Sequence, residues 1–203
     1  MDSRQPDQTR QRLLDAAFAE IYRHGFQAAS LANILADTGL TKGALYHHFP
    51  DKKSLGLAVV DEIIGKRMTE RFVDPLMASK QPMRAMLDLL GEKRRQPEAS
   101  LKLGCPLNNL MQEMSPVDED FRMGLRRVLS AWQIAFEETL QRAQAAGELR
   151  RDVDCRAAAL FIVAAWEGCV GVAKNMQSAD GFADCMAQLQ GYVESLRQDG
   201  PAP

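Results

Sequence analysis

Apolar side chains recur every three to four residues along most of this chain, the spacing of amphipathic helices. Residues 7–24 place Leu14, Ala17, Phe18 and Ile21 on one stripe, with Gly25 behind them as a stop. Ser30 stands where an N-cap belongs, before a short helix through Asp37 with Leu31, Ile34 and Leu35 on its inner face. After Thr38-Gly39-Leu40, Thr41 can cap a second short helix to about Phe49. Pro50-Asp51 separates it from a longer one, Lys52 to about Phe72, striped by Val60, Ile64, Met68 and Phe72. Further helices read near 82–95, 105–114, 118–147, 153–175 and 180–198. Their separators are Pro75, Gln96-Pro97-Glu98, Ser115-Pro116, Gly147 and residues 177–181. Strand signals are nearly absent, with no long β-branched run and no Asn-Gly or Asp-Gly hairpin. The expected fold class is all-α, with about nine helices.

Composition changes this picture little. The chain has 203 residues, 46% hydrophobic and 26% charged, as a soluble globular protein should. Net charge is −2, and residues 1–53 hold seven basic against six acidic side chains. A nucleic-acid reader built this way needs locally placed cations rather than a general basic field. The first residues are polar, with no apolar signal-peptide core, and the most apolar stretch, Ala157–Ala173, is short for a membrane span. Cys105, Cys155, Cys169 and Cys185 are dispersed without a CxxC pair, which fits reduced thiols and a cytoplasmic location with no membrane.

The informative segment is Ser30–Lys53, SLANILADTGLTKGALYHHFPDKK. Two short helices with three residues between them must cross steeply, as in a helix-turn-helix. Gly39 supplies a left-handed backbone at the end of the first, and Leu40 can plug the angle. The second helix turns Ala44, Leu45 and Phe49 inward and exposes Thr41, Lys42, Gly43, Tyr46 and His47. That set suits a DNA backbone and groove: a hydroxyl cap, a cation, a bare backbone, a phenol and an imidazole. Lys52 and Lys53 at the next helix start offer a second anion site. Tyr46 also fits a half-buried helix aromatic. Adjacent histidines point about 100° apart, so His47 and His48 are no metal pair, and the side of His48 stays open.

The run from Arg10 to about Leu57 resembles the N-terminal domain of TetR/AcrR-type repressors. The resemblance is carried by Gly25-Phe26, the turn Thr38-Gly39-Leu40, the run Tyr46-His47-His48-Phe49 and Lys52. It implies an N-terminal three-helix DNA-binding domain (1–53) with Ser30 among its contacts, joined by helix 4 to a larger C-terminal bundle for ligand binding and dimerisation (54–203). It implies further a homodimer on a palindromic double-stranded operator, with a pocket for a small apolar or electrophilic ligand, and no cofactor or metal.

Past the fourth helix the reading thins. Aromatic and methionine side chains able to line a pocket are Met68, Phe72, Met111, Met114, Trp132, Phe136 and Trp166, although each equally suits plain core. The resemblance assigns dimerisation to the last two long helices, where Phe161, Ala165, Gly168, Val172, Phe182, Met186, Leu189 and Val193 lie. Glu167, the one charge in 157–173, is either a polar anchor or an exposed residue. Cys105, between Gly104 and Pro106, is a pocket residue, a thiol activated at a helix start, or a small buried hydrophobe.

These residues point to a ligand-responsive DNA-binding repressor. The alternatives are a thiol-based sensor of electrophiles or oxidants acting through Cys105, and a helical protein-interaction module without DNA binding. No enzyme motif is present: no Gly-rich phosphate loop, HExxH or GxSxG, and all three histidines precede residue 49.

Overall fold

The structure, a computed structural model, describes residues 4–93 and 101–198. Its helices are α1 (Arg4–His24), α2 (Leu31–Thr38), α3 (Lys42–His48), α4 (Lys52–Ala58), α5 (Lys66–Met68), α6 (Asp74–Ala78), α7 (Pro82–Lys93), α8 (Pro106–Met114), α9 (Glu119–Ala145), α10 (Cys155–Met176) and α11 (Ala179–Ser195). Two π-helical stretches, Val59–Gly65 and Thr69–Val73, stand between α4, α5 and α6. The fold is all-α, as expected. Among the described residues no strand forms, and an isolated antiparallel bridge pairs Leu149 with Arg197. The end of the expected 82–95 helix and Gln96-Pro97-Glu98 lie outside the described residues.

Helical structure persists beyond the expected stop at Phe72. Pro75 opens α6 instead of separating helices. A proline near a helical start has no intrahelical N–H to lose, and the wider π-turn before it eases the ring past the preceding carbonyls.

Two compact units form. One comprises the chain to Arg67 with Pro106–Val128, the other Met68–Cys105 with the chain from Leu129 onward. This geometric partition cuts the chain differently from the division at residue 53 expected from the sequence.

In the first unit, α1 packs on α2, α3, α4 and the stretch Val59–Gly65. Its stripe of Leu13, Leu14, Ala17, Phe18 and Ile21 is buried, as are Ile34, Leu45, Phe49, Leu55 and Val60 from the other elements. Arg10 grips Glu62 through both terminal nitrogens, at 2.5 and 2.6 Å.

In the second unit, α11 packs on α10 and on α7. Asp154 and Ser178 cap α10 and α11 by accepting from Ala157 N–H and Gly181 N–H, each at 3.0 Å. The core is aromatic: Phe72 and Trp132 lie 4.7 Å apart, and Trp166 stands edge-on to both at 5.1 and 6.1 Å. Helix α10, at 22 residues, is long and apolar enough to cross a membrane by length and composition, beyond the shorter span expected from the sequence. Its apolar character has a local reason, since Ile162, Val163, Trp166, Val170 and Ala173 are buried within this unit.

Candidate nucleic-acid interface

The reading helices are set by caps. Ser30 Oγ accepts from Asn33 N–H at 3.4 Å and opens α2. Glu20 on α1 accepts from Ser30 N–H at 3.0 Å and from the Asn33 amide at 2.9 Å, so the start of α2 is fixed to α1. Helix α2 stops at Gly39, with φ +65° and no atom within 4 Å of a Cβ placed there. The glycine is needed for its backbone conformation and not for space. Thr41 Oγ1 then accepts from Ala44 N–H at 3.2 Å and opens α3.

Rotation of α3 follows from its apolar side. Leu45 and the following Phe49 are buried, and the Arg10 guanidinium lies 5.1 Å from the Phe49 ring centre. Thr41, Lys42, Gly43, Tyr46 and His47 are left exposed together, Tyr46 at 51%. Ala44, expected in the core, is half-buried, as are Leu40 and Ser30. His48 is half-buried too, its ring edge-on to His47 at 5.1 Å. Burial, then the neighbouring His47, hold its pKa below the ordinary histidine value, which keeps the imidazole neutral near pH 7. Among the described residues no group of three or more His, Cys, Asp or Glu is placed to hold a metal ion.

Lys52 and Lys53, expected to offer a second anion site, each have partners within the protomer. Lys52 Nζ donates to the Gln27 carbonyl at 2.9 Å and lies 5.0 Å from the Phe26 ring centre. Lys53 Nζ pairs with Asp118 at 2.8 Å and Asp120 at 2.7 Å, and hydrogen bonds to these two carboxylates push its pKa up. Both side chains stay part-exposed while making these contacts. Sequence reasoning also missed Glu113 on α8, whose carboxylate accepts from Phe26 N–H and Gln27 N–H at 2.9 and 2.8 Å. With partners 86 and 87 positions away, it left no local signal.

Comparison with known proteins bears on what this head does. Residues 13–59 match the family model described as bacterial regulatory proteins, tetR family, and residues 81–189 match that described as tetracyclin repressor-like, C-terminal domain. The chain belongs to the TetR family. It is 30% identical to the transcriptional regulator AcuR of Cereibacter sphaeroides, over 81% of this chain and 75% of that protein. It is 24% identical to the transcriptional repressor DhaR of a Mycobacterium species, over 85% of this chain and 87% of that one. A solved TetR transcriptional regulator from Chloroflexus aurantiacus superposes with a TM-score of 0.84 at 30% identity, covering 96% of this chain and 98% of the other. As a TetR-family member, this chain is a ligand-responsive, DNA-binding regulator of transcription.

The residues expected to line a pocket in this TetR-family regulator divide between the units. Met68, Phe72, Trp132, Phe136 and Trp166 are buried in the second, the last four in one aromatic cluster. Met111 and Met114 belong to the first unit, Met114 buried and Met111 half-buried. Cys105 is a half-buried thiol, and all four cysteines are outside any disulfide. Its side chain acts on the Glu167 carboxyl. Glu167, left open from sequence, is buried.

The dimer-seam expectation also splits. On α10, Phe161 and Val172 are about half exposed, Gly168 is exposed and Ala165 is half-buried. On α11, Phe182, Met186, Leu189 and Val193 are buried, at 0–4% exposure, in the protomer's own core. Side chains already out of solvent in one chain have no surface to give to a second.

Proposed function

We propose that this regulator is a repressor that reads a palindromic operator as a homodimer through α3 and releases it when a small molecule occupies its C-terminal part. The observation that carries the reading is the face of α3: Thr41, Lys42, Gly43, Tyr46 and His47 exposed together while Leu45 and Phe49 fix the helix from behind. One cation, one phenol, one imidazole and a bare backbone give phosphate contacts that position and an imidazole that can meet a base edge. Lys52 supports this face indirectly, by holding the Phe26–Gln27 turn.

The homodimer is supported by α10. Leu160, Phe161, Val172 and Met176 are each about half exposed, and Gly168 among them adds no bulk. An apolar strip on a helix otherwise facing core is what a second copy covers. The repressor assignment follows relatives such as DhaR, and a DNA-binding regulator of this family works in the cytoplasm or nucleoid.

Selection of binding sites from a random DNA pool tests the reading. An inverted repeat should emerge, protected by two protomers, with half-sites about 34–36 Å or a multiple apart. Recovery of no inverted repeat at physiological salt would sink it.

A further inference from the structure

Glu167 lies mid-way along α10 with 7% of its surface exposed, and neither carboxyl oxygen has a hydrogen-bond partner. Among the described residues it is the one buried carboxyl group of the second unit; Thr139, also buried there, is satisfied by the Ala135 carbonyl at 2.6 Å. Of the half-buried cations of that unit, Arg142 directs its terminal nitrogens to the carbonyls of Ser79 and Leu76, at 2.9 and 2.6 Å, and Arg150 reaches Asp152 and the Ser195 carbonyl. Among the described residues, burial and the Cys105 thiol act on the Glu167 carboxyl and no charged group does, and a thiol is a weak donor.

The core of this unit is π-rich. Trp166, the preceding residue of α10, joins Phe72, Trp132 and Phe136 in the aromatic cluster. Indole faces attract cations, the more so away from water. A neutral apolar ligand would leave the carboxyl oxygens unpaired, and an anion would set like charge beside them. A cation does neither.

We propose that Glu167 anchors a site for a small organic cation, an ammonium with an aromatic or alkyl body, whose charge the carboxylate neutralises while the rings around Trp166 take up its apolar part. This rests on the ligand-responsive reading above and names the ligand's charge. Burial pushes the Glu167 pKa up to about 7, against a smaller opposite pull from Cys105, the titratable group set against it. The carboxyl is therefore partly protonated at neutral pH, and a bound cation draws it to the ionised form.

The chain's two tryptophans, Trp132 and Trp166, both lie in this cluster, so intrinsic fluorescence reports on it directly. The full chain is titrated with benzyltrimethylammonium, with its uncharged isostere neopentylbenzene, and with phenylacetate. The ammonium should bind at least about tenfold more tightly than either other probe, and Glu167→Gln should remove that preference. Its affinity should rise roughly tenfold from pH 6 to pH 8, as a group titrating near 7 passes from about a tenth to about nine-tenths ionised. Equal binding of ammonium and isostere, no saturable ammonium signal, an unchanged affinity in Glu167→Gln, or a flat pH profile in the unsubstituted protein each overturns the proposal. The pH profile decides alone if Glu167→Gln does not fold. Operator binding is followed in the same samples by anisotropy of labelled DNA. Intact operator binding without ammonium preference overturns the cation site only, whereas absent operator binding strikes the regulator reading itself.

Discussion

Glu113 accepts a hydrogen bond from the backbone N–H of Phe26 at 2.9 Å, across 87 positions of sequence. Its second oxygen takes the N–H of Gln27 at 2.8 Å, so one carboxylate closes the turn between α1 and α2. The same turn is held from α4 by Lys52 on the Gln27 carbonyl, and Phe26 packs against Phe121 at 4.4 Å between ring centres. The start of the helix-turn-helix is thus held by α8 and α9 as well as by its own neighbours.

Replacing Glu113 with Ala leaves two turn N–H groups without their acceptor, one of them partly buried. Loss of such charge-assisted bonds should cost about 1–3 kcal/mol, read as a lower midpoint in urea denaturation. Operator affinity should fall with it, because the turn positions α2. A midpoint unchanged from the parent would remove Glu113 from the account.

Lys42 and Tyr46 face solvent on α3. Lys42→Ala should weaken binding to every DNA sequence alike and reduce the slope of log affinity against log salt by about 1. Tyr46→Phe removes a hydroxyl donor and should weaken binding without changing that slope. Anisotropy titrations at several salt concentrations, on operator and on random DNA, separate the two effects.

Stability should depend on pH through Glu167. Its folded pKa, about 7, lies above the ordinary value of 4.5 that the unfolded chain would show. Between those values the folded state keeps a proton that the unfolded state has released. Stability from this group therefore falls as pH rises from about 4.5 to about 7 and is level above, a total on the order of 3 kcal/mol. Glu167→Gln should remove this slope and gain stability at pH 8 relative to the parent. Denaturation of both proteins at pH 5 and pH 8 isolates the difference.

Gly56 on α4 sits under two rings: a Cβ there would lie 2.4 Å from Phe26 Cε2 and 2.8 Å from Phe121 Cζ. Gly56→Ala gains helix propensity but overpacks this contact, and the clash should win by about 1–3 kcal/mol. Thermal denaturation measures the sign, and a stabilised variant would show that the rings move aside at little cost.

The helix-turn-helix was legible because its signals are local. Ser30, Gly39 and Thr41 act within four residues of themselves, and each cap forms where its sequence places it. Burial of Leu45 and Phe49 then sets the exposed face of α3 without long-range information. The internal partners of Lys52 and Lys53 were not legible because Gln27, Asp118 and Asp120 are distant in sequence. The α11 stripe was misjudged for another reason. Phe182, Met186, Leu189 and Val193 have the spacing of a buried face, but periodicity cannot say whether the cover is the same chain or another. Glu167 shows the same ambiguity, since one charge in an apolar run is compatible with either side of the helix.

Leu160, Phe161, Val172 and Met176 have a consequence for the amount of protein as well as for its assembly. A strip of this kind, when covered by another copy, links folding to association, so the melting temperature should climb with protein concentration. A newly made protomer below the association midpoint is then both a poor reader of paired half-sites and the more easily unfolded species. Covered by a second copy as proposed, the apolar strip on α10 would set a threshold dose, below which the regulator is silent.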